Sequence, residues 1–251
     1  MNIFGIIKEL YTGKDNLIAH LGIFSLVGIM SIALNEVISV FTGNTLYAVF
    51  TVPSNCEVVI FSMLAIMIFI FFIGYMYKFV HDSYETEFTS LSSISMNCFT
   101  SFIKVFPVMF VWGLYLGLML FIGFVLFGTK NIEFYVYLGF LFILLPFISM
   151  VFVKFAKDFK YSKNIFNPLI LAEFMRKTFV QVFLFLLQFV AIGILVSIIN
   201  VFLLSISMDG HTRTEQLILL LSIICVISYV QQVLNLAYYK GLTEIIKKTG
   251  V

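Results

Sequence analysis

Hydrophobic positions in this chain run together in six long stretches, separated by short polar segments. A helix rising 1.5 Å per residue needs about 17 to 25 mostly apolar residues to cross roughly 30 Å of hydrocarbon. Residues 17–34, 58–77, 105–127, 132–153, 179–206 and 217–239 meet that test. They predict an all-α, polytopic transmembrane helical bundle of six spans, forming one integral membrane domain over residues 1–251. The fifth run would be about 42 Å long as a helix, so it must tilt, bend or project from the bilayer. Between the third and fourth runs, Gly128-Thr129-Lys130-Asn131 reads as a tight turn joining antiparallel helices. Pro107 falls in the first turn of its span, where a missing N–H does little harm, whereas Pro146 lies inside the fourth and predicts a kink.

The segments ahead of alternate spans carry a second pattern. Ile3, Phe4, Ile6, Ile7 and Leu10 precede Lys14; Ile94, Phe99, Phe102 and Ile103 precede Lys104; Phe166, Leu169, Leu171 and Phe174 precede Arg176 and Lys177. Each spacing places an apolar stripe on one helix face, as expected of a helix lying flat at a membrane surface. Each pair of spans also ends in aromatics followed by lysine: Tyr75, Tyr77 and Lys78; Phe152 and Lys154; Tyr238, Tyr239 and Lys240. Aromatics at headgroup level and lysines snorkelling past them are general membrane anchors. The chain therefore divides into three helical hairpins, each preceded by an amphipathic interfacial helix. The segment from Glu36 to Glu57 is expected to be a loop folded on the bundle mouth; alternation over Thr45–Phe50 is too weak to predict a strand.

Composition sharpens this picture. Apolar types make up 61% of the 251 residues and charged types 11%, too few charges to face water on all sides. A net charge of +2 does not point to nucleic acid, and the placement of the charges says more than their sum. Of the fifteen basic residues, Lys130 and Arg213 fall on one side of a six-span arrangement and the other thirteen on the opposite side. By the positive-inside rule both termini are cytoplasmic, in what compactness suggests is a prokaryotic plasma membrane. No cleavable leader is expected, because the first apolar run begins late and is long enough to span.

Candidate chemistry is sparse. Cys56, Cys98 and Cys225 are an odd, scattered set that suggests neither a disulfide framework nor a zinc site. His81, Asp82 and Glu85 could ligate a metal on paper, but read as a solvated linker; Lys154, Lys157, Lys160 and Lys163 read as a stripe attracted to anionic headgroups. His20, near the start of its span, reads as an interfacial hydrogen-bonding residue. Deeper in the spans the polar groups are amides: Gln181 and Gln188, seven apart, Asn200, and Gln231 with Asn235, four apart. Buried amides must meet one another, backbone or water, so they are either interhelical glue or the lining of a polar cavity between the fifth and sixth spans. Gly113 and Gly117 form a G-x-x-x-G pair expected to pack within the chain. Motifs of catalysis, metal or phosphate binding are missing from the sequence.

Gly74-Tyr75 with Lys78, the acidic Glu85 and Glu87, Phe102-Ile103-Lys104, then Phe166-Asn167-Pro168, Leu171, Phe174 and Arg176, and a closing Tyr239-Lys240-Gly241 together resemble a known family. It is the membrane-protein family catalogued as domain of unknown function 4013, and the resemblance covers roughly residues 72–241. It implies a membrane bundle and carries no activity or functional residues with it. The expected role is a non-enzymatic integral membrane protein, a scaffold or the membrane subunit of a larger assembly; the alternative is a transporter or transporter component for a lipid-like or weakly polar solute. No cofactor is implied. Expected partners are membrane lipids and other membrane subunits or further copies of the chain.

Overall fold

The computed structural model describes residues 2–12, 14–42, 55–85, 91, 94–129, 131–207 and 213–250. Its helices are α1 (Ile3–Tyr11), α2 (Lys14–Thr42), α3 (Asn55–Glu85), α4 (Asn97–Phe127), α5 (Ile132–Ala156), α6 (Leu169–Ser207) and α7 (Arg213–Thr249), with a 3-10 turn at Lys163–Phe166 before α6. No strand occurs among the described residues. Helices α2 to α7 are each long and apolar enough to cross a membrane, so the architecture is an all-α, multi-pass bundle.

The helices outrun the apolar stretches because polar ends continue the helix beyond the hydrocarbon thickness. α2 reaches Thr42, so Glu36, Val37 and Ile38 are helical rather than part of a loop; Thr45–Phe50 lie outside the described residues. α4 begins at Asn97, which puts Pro107 in the helix interior instead of its first turn. α5 runs through Pro146 as a continuous helix. The turn between α4 and α5 is closed by Gly128, at φ 65°, whose N–H donates to Phe124 O at 2.9 Å. A side chain there would be strained, so glycine sets the reversal.

Among the described residues only the first hairpin has a separate leading α-helix. The amphipathic pieces ahead of the second and third are built into the first turns of α4 and α6. α1 itself does not spend its apolar stripe on lipid: Ile3, Ile6 and Leu10 are buried in the protein core. Nine residues are too few to hold a helix alone, and the bundle satisfies both of its ends. Ile3 N–H donates to Gln188 Oε1 on α6 at 3.2 Å, while Leu10 O accepts from Asn16 Nδ2 and His20 Nε2 on α2, each at 2.9 Å. Glu9 pairs with Lys240 on α7 at 2.9 Å.

The tightest packing lies at the α1 end. Tyr75, Tyr77, Phe79, Trp112, Phe147, Phe155 and Phe174 are all fully buried there. Gly74 lets α3 cross α4 closely: a Cβ at that position would meet Cys98 O at 1.8 Å. Trp112 Nε1 donates to Ile165 O at 2.9 Å and Tyr115 OH to Phe166 O at 3.1 Å, pinning the 3-10 turn to α4. Away from this end the helices present apolar side chains outward, among them Leu118, Phe121, Val125, Val136, Ile198 and Val201. That pattern is expected of surfaces facing lipid, where hydrocarbon and a protein core are equally apolar surroundings.

Candidate functional site

The amides do not form one cluster. Gln188 is engaged at the start of α1, where its Oε1 accepts from Ile3 N–H. Gln181 is exposed on the outer surface of α6, and Asn200 is half-buried two turns from the end of the same helix. Seven residues separate Gln181 from Gln188, but only the second meets a neighbour, because α1 covers a single patch of α6. Gln231 and Asn235 do come together, and with residues the sequence did not single out.

Ser228, Gln231, Gln232 and Asn235 follow the i, i+3, i+4, i+7 rule on α7 and line one wall of a cavity of about 580 Å³. The same spacing on α2, Met30, Leu34 and Val37, makes the second wall. Ser62, Ala65, Ile66 and Phe69 on α3 make the third. The cavity thus lies among the first, second and sixth spans rather than between the fifth and sixth. Gln232 was legible in principle: it sits three residues before Asn235 on the face that Gln231 borders. What no local pattern discloses is that α2 and α3 supply the opposing, mostly apolar walls.

The chemistry of this lining is distinctive. Three amides and the Ser228 hydroxyl offer donors and acceptors along the α7 side, while the α2 wall is hydrocarbon and the α3 wall is hydrocarbon but for Ser62. Among the described residues no Asp, Glu, Lys, Arg or His lines it. Glu36, buried one residue before Val37, is not among the lining residues. Ile66 and Phe69 are 58% and 59% exposed, so the cavity opens sideways where lipid would lie. Its size falls within the ordinary range of small-molecule sites.

A second polar group lies between α1, α2 and α7. In the neutral imidazole, His20 Nε2–H donates to Leu10 O, Nδ1 accepts from Tyr229 OH at 2.8 Å, and Tyr229 accepts from Tyr11 OH at 3.2 Å. Tyr11 stacks on the His20 ring with centroids 4.4 Å apart. Every polar atom in this chain of bonds is partnered, so its structural work is to hold α1 in place, as the sequence reading of His20 as a hydrogen-bonding residue anticipates. His81 is similarly occupied: its Nδ1 is 2.8 Å from Lys157 O and 3.1 Å from Ala156 O, the closing carbonyls of α5. Asp82 pairs with Lys78 at 3.2 Å. Among the described residues no group of three or more His, Cys, Asp or Glu is placed to hold a metal ion; the side chain of Glu85 lies outside them.

Comparison with protein-family models, with curated proteins and with solved structures finds no match to this chain.

Proposed function

We propose that this protein binds a lipid-like, weakly polar solute in the cavity among α2, α3 and α7, as a transporter or a transporter component. The observation that carries the reading is the pairing of an amide wall on α7 with an apolar wall on α2 and a wall on α3 that is apolar except for Ser62, in a cavity open toward lipid. Interhelical glue would close such amides against partners; these instead line open space. In this reading the chain resides in a plasma membrane with both termini cytoplasmic, so that the tightly packed α1 end faces the cytoplasm and the cavity lies toward the outer half. The family resemblance supplies no activity. Nothing in it calls for a catalytic step or a cofactor.

The test is accessibility. In a chain freed of Cys56, Cys98 and Cys225, a cysteine at position 231 in proteoliposomes is expected to react with a membrane-impermeant maleimide and to be protected by a lipid-like solute. A thiol at that position inert from both sides overturns the reading.

A second reading, as membrane subunit of a larger assembly or a homo-oligomer, is favoured by Gly113 and Gly117. A Cβ at either glycine would have nothing within 4 Å, so among the described residues the pair packs against nothing in the chain and its smooth face on α4 is available to another helix. Copurification of a stoichiometric partner under mild detergent, lost in Gly113→Leu, supports it; a monomer in both forms counts against it.

A further inference from the structure

The amide stripe of α7 continues inward past the open cavity. Gln232 and Asn235 also line an enclosed recess with Ile23, Phe72, Tyr75 and Met76. The recess has a volume of about 10 Å³, room for roughly one water-sized group. Tyr75 is 1% exposed, yet its hydroxyl has no hydrogen-bond partner among the described residues. A buried hydroxyl left in that state destabilises the fold until some group meets it. The hydroxyls of Tyr11 and Tyr229 offer a contrast, since both are already paired in their groove.

We infer that the cavity takes an uncharged amphiphile, whose hydroxyl or carbonyl head reaches the recess and hydrogen-bonds to Tyr75, Gln232 and Asn235. Its hydrocarbon tail leaves past Ile66 and Phe69 into the surrounding lipid. The inference rests on the reading that the cavity binds a lipid-like solute, and adds the class of head group and the residues that hold it.

The head group is fixed by what the lining lacks. A phosphate or carboxylate drawn into this site would lose its water without meeting a cation among the described residues, and amide hydrogen bonds do not offset that loss. An alcohol or ester needs only donors and acceptors, and both amides and the phenol supply them. The tail is fixed by position: Ile66 and Phe69 follow the apolar wall of α3 to its exposed surface. A long-chain alcohol or a diacylglycerol meets both demands.

The experiment uses the full chain in phosphatidylcholine vesicles with a photoactivatable diacylglycerol. Saturable labelling is expected on residues 62–69 and 228–235, competed by unlabelled diacylglycerol but not by phosphatidic acid with the same chains. Tyr75→Phe is expected to reduce it about fivefold, the effect of one hydrogen bond. Gln232→Leu is expected to act in the same direction. Equal competition by phosphatidic acid, or labelling unchanged in both variants, overturns the head-group assignment while the cavity still binds a lipid. Absence of saturable labelling by either lipid in those segments overturns the cavity reading and this inference together.

Discussion

Lys240 Nζ lies 2.9 Å from Glu9 Oε2 and joins two helices 231 residues apart, with the lysine side chain 5% exposed and the glutamate 52%. The pair is asymmetric. Water can solvate the carboxylate without its partner, whereas the ammonium would be stranded. Glu9→Gln is therefore expected to cost about 2 kcal/mol, less than the full penalty for breaking a deeply buried pair because one side is wet. Adding Lys240→Met to the same chain should recover most of that loss, since no charge then stays buried. Thermal unfolding in detergent of the single and double variants decides the matter; a double variant no more stable than the single one would mean that the contact, not the stranded charge, carries the cost.

The two kinds of glycine on this bundle predict opposite outcomes. At Gly74 a methyl group would collide with the backbone of Cys98, 1.8 Å to the carbonyl oxygen and 2.7 Å to its carbon. Backbone cannot rotate away as a side chain can, so Gly74→Ala is expected to destabilise by about 3 kcal/mol, at the upper end of ordinary overpacking. Gly113→Ala and Gly117→Ala meet nothing within 4 Å and should leave the monomer as stable as before, or slightly more so through higher helix propensity. Fluorescence-detected size exclusion after heating reads all three. A stable Gly74→Ala variant would show that α3 and α4 do not cross where the structure places them.

These residues also show what the sequence discloses and what it withholds. The six spans are legible because hydrocarbon thickness imposes a length on any apolar run that crosses it. The amphipathic stripe of Ile3, Ile6 and Leu10 is legible as well, but its partner is not, since a stripe looks the same whether lipid or protein covers it. Lys240 follows two tyrosines and so reads as a snorkelling anchor; its burial depends on Glu9, which no local pattern connects to it. Gly113 and Gly117 have the spacing of a packing motif, yet the close helix crossing falls at Gly74, which has no such companion. Gln231 and Asn235 announce a polar face, whereas the walls from α2 and α3 exist only in three dimensions.

Trp112 provides a test of how the second and third hairpins are joined. Its indole N–H donates to Ile165 O at 2.9 Å while the ring is 1% exposed. Trp112→Phe keeps an aromatic ring, shrinks it and leaves a carbonyl without its donor, which together should cost about 2 to 3 kcal/mol. The loss should appear as faster proteolysis between Lys157 and Lys163, the stretch the indole tethers, as well as in the midpoint of unfolding. Unchanged cleavage there would mean that Tyr115, bonded to Phe166 O, suffices to hold the turn.

Tyr75 separates stability from binding. Its buried hydroxyl has no partner among the described residues, so Tyr75→Phe removes a polar atom whose hydration was given up on folding with nothing in return. The ligand-free variant is expected to be more stable than the parent chain by about 1 kcal/mol, read as a rise in unfolding temperature in a detergent that carries no neutral lipid. Adding diacylglycerol should reverse the order, because the parent chain gains a hydrogen bond that the variant cannot make and ligand binding stabilises by mass action. Opposite signs in the two conditions are the signature of a hydroxyl held in reserve for a ligand. A variant less stable than the parent without lipid would show that the hydroxyl already has a partner in the folded protein, most simply an ordered water in the recess beside Gln232 and Asn235.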